Sequence, residues 1–199
     1  SYTDSQGGLI CLANAVNAVS RKKYDEALIW IDKALTHDRF THKKECCGFG
    51  FYIALLSLDF GTARKYAQLL KSTYLEKLAE LFPYLMNLQY NQTSLNLAKQ
   101  LYKENCSLFS SDELTQQHSF WACVVSANNV KMENYGEVLP WLDEALKLNP
   151  NNHFAKYMKA IFLTTNECGT SCGINDPRVM SLLKSSADGG CVQAYLELA

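Results

Sequence analysis

The spacing His37-x4-His42-x3-Cys46-Cys47 gathers two imidazoles and two thiols into one short stretch. His42 and Cys46 are four positions apart, so on a helix they share a face, and neutral imidazole with thiolate suits zinc. Adjacent cysteines are uncommon in zinc spacings, which makes this set a weak metal candidate, and no cofactor is implied elsewhere. The competing reading treats Cys11, Cys46, Cys47 and Cys123 as small apolar groups packed between helices, with Cys46 and Cys47 reduced and metal-free. A second pair, Cys168-x3-Cys172, lies in the glycine-bearing stretch NECGTSCGINDP. It is a candidate local disulfide, which needs an oxidising compartment, and it matches no C-x-x-C redox motif.

Other catalytic signals are scarce. The chain has no Gly-rich phosphate loop, no G-x-S-x-G elbow and no H-E-x-x-H. Glu26, Asp32, Glu137 and Asp143 fall at matching positions of two similar stretches and read as a solvated face. Ser110-Ser111-Asp112-Glu113 reads as a capping box opening a long helix through Asn129, with no nucleophile implied. The expectation is a protein that is not an enzyme.

What positions these residues is a repeat. KKYDEALIWIDKAL and ENYGEVLPWLDEALKLNPNN share Tyr, an acid, an apolar pair, Trp, Asp and Ala-Leu at Tyr24–Leu35 and Tyr135–Leu146. Tyr24-x-x-Ala27 recurs at Phe60-x-x-Ala63, more weakly at Leu95-x-x-Ala98, and at Tyr135-x-x-Val138, a spacing near that of two-helix repeats. Ala27 and Ala34 are two helical turns apart, so small side chains on one face admit a second helix closely. Trp30 and Ile31 fill the space beside them. β-branched alternation is nearly absent, so the chain reads as all-α with about ten helices. Pro150 stops a helix and the following Asn pair suits a turn and an N-cap. Pro83 is expected to kink or divide a helix spanning 72–90, and Pro140 fits if its helix begins near Gly136 or Val138.

Hydrophobic residues at 48% and charged ones at 20% are ordinary for a globular chain, and a net charge of −1 gives no general pull toward nucleic acid. No apolar run is long enough for a membrane span, and no signal peptide is visible. The chain opens at Ser1 rather than Met, so an upstream segment is expected.

The repeats resemble the tetratricopeptide repeat (TPR) family, and SSADGGCVQAYLELA resembles the Sel-one-like variant, with Ala187 and Gly190 as its turn signature and Ala194 and Leu198 opening the next helix. The units fall at about 8–41, 44–77, 79–113, 119–152 and 153–190, with a partial unit at 191–199, in a single domain. Arg39 stands where the first unit should have its terminal Pro. Phe51 stands where a first helix usually has a small residue. The resemblance implies a right-handed α-solenoid of antiparallel helical hairpins whose first helices line a concave groove. On this register the groove carries Leu12, Val16, Phe49, Tyr52, Tyr84, Tyr90 and Phe120, with Leu9, Leu56 and Val124 beside them. The Lys and Asn residues of the family's carboxylate clamp are missing, since Leu12, Val16 and Phe49 hold those places. That implies an apolar, aromatic groove.

The expected function is therefore a protein–protein interaction module: an adaptor, assembly factor or chaperone that holds an extended or helical peptide segment. Two alternatives stay open at this point. One is a regulatory or targeting domain of a longer enzyme or secreted effector; the other is an exported, disulfide-bearing envelope or virulence protein. The final helix carries only Gln193 and Glu197 as strongly polar residues. It is expected to continue into further chain or to pack against a second copy, giving a homodimer.

Overall fold

The computed structural model describes residues 4–169 and 171–199. Among the described residues there are eleven α-helices and no strand. They are α1 (Asp4–Ser20), α2 (Tyr24–Thr36), α3 (Lys43–Leu56), α4 (Phe60–Leu69), α5 (Thr73–Met86), α6 (Gln92–Lys103), α7 (Ser111–Lys131), α8 (Val138–Leu148), α9 (His153–Leu163), α10 (Pro177–Asp188) and α11 (Val192–Leu198). Short 3-10 turns lie at Tyr135–Glu137 and Asn166–Cys168. The described residues are all-helical, with eleven helices where about ten were expected. The chain forms two compact units that divide between Met86 and Asn87, and within each unit consecutive helices pack on one another.

In the first unit the hairpins repeat their stops as well as their packing. At the end of α1 the Lys22 amide donates to the Val19 carbonyl and the Lys23 amide to that of Ala18, with Lys22 at φ 57°. At the end of α3 the Leu58 amide donates to Leu55 and the Asp59 amide to Ala54, with Leu58 at φ 59°. Both are Schellman closures, which satisfy the last carbonyls of the helix and reverse the chain at once. Asp59 then caps α4 by accepting from the Thr62 amide. Ala27 and Ala34 of α2 are fully buried, as are Ala15 and Ala18 of α1. The close approach expected from the alanine spacing is therefore present, and Ile31 fills the space beside it.

Two glycines show how tight the packing is. A Cβ on Gly8 would come within 2.5 Å of the Phe40 ring, and one on Gly50 within 2.8 Å of the Tyr66 ring. The small residue where α4 approaches α3 is thus Gly50, one position before Phe51. Phe51 points into the core instead. In α5, Pro83 lies inside a helix that is not divided there and that ends at Met86, short of the 72–90 span expected for it. Its missing N–H falls near the helix end, where one absent bond to the Ala79 carbonyl interrupts little of the ladder.

In the second unit α7 begins with the capping box read from the sequence: the Ser110 hydroxyl accepts from the Glu113 amide, and the Glu113 carboxylate from the Ser110 amide. This long helix buries Trp121, Ala122, Cys123, Val124 and Val125 together with Ser119, Ser126, Asn128 and Asn129. The polar members are bonded rather than stranded, as burial requires. Ser119 donates to the Ala145 carbonyl (2.7 Å), Ser126 to that of Val138 (3.1 Å), and Asn152 to Ser119 (2.9 Å). Asn152 also caps α9 by accepting from the Ala155 amide. Pro140 is the third residue of α8, among the amides that have no helical acceptor in any case. Further along, α10 starts with Asp176 as N-cap and Pro177 in its first turn, and it ends at Asp188 with Gly189 as C-cap; the chain then reverses at Gly190 (φ 93°), where only glycine turns without steric cost. Ala160, Val179, Leu183, Ala187 and Ala194 form the core that joins α9, α10 and α11.

Candidate functional site

The residues assigned to a groove divide between the two units. In the first, Val16 on α1 and Tyr52 on α3 are 53% and 59% exposed, and they lie 36 positions apart, the same interval that separates Tyr24 from Phe60. Leu9 precedes Val16 by two turns and Leu56 follows Tyr52 by one; both are exposed. Leu12 and Phe49 are half-buried beside them. Tyr84 is half-buried and borders a different cleft, between α4 and α5, with Phe60, Arg64 and Pro83. In the second unit Tyr90 is half-buried, and Phe120 is 47% exposed and stands edge-on to Trp121 at 4.9 Å. Val124, by contrast, is 8% exposed and belongs to the core of α7, because it lies three residues from Trp121 on the buried side.

The thiols and imidazoles do not converge. Among the described residues no group of three or more His, Cys, Asp or Glu side chains could hold a metal ion. His37 shares a hydrogen bond with Asp4 (Nδ1 to Oδ1, 2.7 Å) and approaches Cys11 Sγ at 3.9 Å. His42 stands edge-on to Phe40, and Cys46 donates its S–H toward the Ile31 carbonyl. Cys11, Cys46, Cys47 and Cys123 are all buried, and none of them is joined to another cysteine. Burial, followed by the neighbouring Cys47 and Cys11, pushes the Cys46 thiol up to about 12; burial raises Cys123 to about 11. Cys168 and Cys172 are unbonded to each other, and Arg178 donates to the Cys172 sulfur at 3.0 Å.

Two of the four carboxylates tie helices together rather than only facing water. Asp32 of α2 accepts from the Tyr66 hydroxyl (2.8 Å) and from Lys65 Nζ (2.9 Å), both on α4. Burial and then the Asp32 bond hold the Tyr66 hydroxyl far above the usual phenol range. Asp143 of α8 pairs with Lys159 of α9. Glu26 pairs with Arg21 at the surface, and Glu137 is exposed.

One feature escaped the sequence pattern. A cleft of about 420 Å³ opens where the end of α2, the start of α3 and the end of α4 meet. Leu35, Leu69, Leu70 and Cys47 give it an apolar lining, and Lys43, Lys44 and Lys71 complete its wall. The available signal was Lys43-Lys44 in the first turn of α3, where the helix dipole disfavours cations.

No protein-family model matches this chain, and no curated protein matches it.

Proposed function

We propose that this chain is a non-enzymatic interaction module, a TPR-like right-handed solenoid that docks an extended or helical peptide segment of another protein. The observation that carries this reading is the pair Val16 and Tyr52. Equivalent positions of consecutive hairpins leave large apolar side chains more than half exposed, each continued along its helix by Leu9 or Leu56. An apolar stripe repeated on successive helices is how an α-hairpin surface offers alternate anchors to a bound segment. Affinity capture with the natural full-length chain and mass spectrometry identifies the partner. Tyr52→Ala then weakens that partner by ~1–3 kcal/mol while the melting temperature moves little. A fall in melting temperature with unchanged affinity makes Tyr52 a packing residue and removes the groove.

A second copy of the chain is the partner proposed for the C-terminal helix. Val192, Tyr195 and Leu196 of α11 are all more than half exposed, which supports self-association there. The two proposals concern different surfaces and stand or fall separately.

A further inference from the structure

We propose that the lysine-walled cleft at the α2–α3–α4 end is a second docking site, which takes an acidic peptide segment with an apolar anchor. Its volume, about 420 Å³, lies toward the small end of ligand clefts, roughly 300–1,000 Å³. Leu69 is 56% exposed and Leu35 and Leu70 half-buried, so the apolar lining is reachable from solvent.

The charges choose the occupant. Lys43 and Lys44 come from one wall and Lys71 from the other, and no carboxylate lines the cleft. None of the three ammonium groups forms an ion pair with a described residue, whereas Lys65, on the same hairpin, is held by Asp32. The chain as a whole has a net charge of −1, so this local excess of three positive charges is not a general basic character. A lone acyl carboxylate satisfies one cation and leaves two unpaired. A nucleic acid satisfies the charges but has no use for three leucines. A segment with carboxylates on both sides of one or two large apolar residues matches both the walls and the lining. Electrostatic complementarity of this kind also fixes register and speeds encounter.

The site is separate from the α1–α3 stripe, so its test does not depend on the groove. The probe is a fluorescein-labelled, amidated hexapeptide, Glu-Asp-Leu-Leu-Asp-Glu, titrated with the full chain and followed by anisotropy. Saturable binding is expected, weakening with added salt as surface charges are screened. Lys43→Glu with Lys71→Glu lowers affinity at least tenfold, and so does Leu69→Asp alone, while Tyr52→Ala leaves it unchanged. Lys44→Gln with Lys71→Gln, which removes charge without reversing it, gives a smaller loss and covers failure of the first variant to fold. Amide shifts in labelled protein fall on Leu35, Leu69 and Leu70. The proposal is overturned if the peptide does not bind, if the lysine variants bind it equally, or if Tyr52→Ala abolishes binding. It is equally overturned if laurate binds the cleft and the peptide does not displace it.

Discussion

Lys22 and Leu58 hold the same place in consecutive hairpins: each follows a buried alanine by four residues and turns the chain with a left-handed backbone, φ 57° and 59°. Neither is glycine, so each closure is made at a steric cost that an L-residue pays and glycine does not. Leu58 is also 53% exposed, so its side chain contributes little packing in return. Leu58→Gly is therefore expected to stabilise the protein by about 0.5–1 kcal/mol, after allowing for the extra freedom of glycine in the unfolded chain. Urea denaturation of the two proteins measures it; a loss of stability would mean that Leu58 packs more than its exposure indicates.

The repeat was legible because it rests on small residues at fixed intervals. Ala27, Ala34 and Ala145 are fully buried where the pattern put them, and Asn152 and Ser110 cap the helices their types suggest. Other features were not legible, for physical reasons. Gly50 and Phe51 are adjacent, and periodicity alone does not say which of them faces Tyr66; the approach of α4 decides it. The repeat register places Val124 beside the groove, yet α7 turns it into the core, and its Ser and Asn residues are likewise buried and bonded to carbonyls. A helix with buried polar groups has no clean apolar stripe from which to read its faces. The lysine-walled cleft joins three chain segments, and no one segment displays it.

The cysteines give a direct chemical count. Only Cys168 and Cys191 are partly accessible; Cys11, Cys46, Cys47, Cys106, Cys123 and Cys172 are buried. The thiolate is the reacting form, and burial holds Cys46 at about 12 and Cys123 at about 11, well above neutral pH. A thiol reagent at pH 8 is expected to modify Cys168 and Cys191 quickly and the other six only as the protein unfolds. All eight react in denaturant without reductant. Six under those conditions would reveal a Cys168–Cys172 disulfide, and stoichiometric zinc lost in His42→Ala would restore the metal reading.

Asp176 links a helix cap to pH. It accepts from the Arg178 amide at the start of α10 and from the Arg178 guanidinium at 3.0–3.1 Å. The guanidinium bonds, followed by the amide, hold its carboxyl down at about 2 against an ordinary 3.8. Because the folded value lies below the unfolded one, the contribution is complete above about 3.8 and is lost as pH falls through about 2. Asp176→Ala is expected to melt at a lower temperature than the parent at pH 7, with the gap narrowing between pH 4 and pH 2. A gap that stays constant over that range would show that the cap acts without its charge.

The final helix leaves most of its apolar side chains in water. Only Ala194 of α11 is buried, while Leu196 is 73% exposed and Val192 and Tyr195 more than half exposed. Seven residues are too few to hold a helix without tertiary contacts, and α11 is anchored mainly through one alanine against α9 and α10. Leaving three large apolar side chains in water forgoes the burial that would fix the helix, so a surface that covers them stabilises it and the contact together. If that surface is a second copy, sedimentation of the chain shows a concentration-dependent dimer. Leu196→Asp and truncation after Gly189 both return it to monomer. Leu196→Asp tests the contact itself, because it leaves Ala194 and the rest of the α9–α10 core intact. Parent and variants that sediment alike as monomers across the concentration range, with equal melting temperatures, would remove self-association through α11.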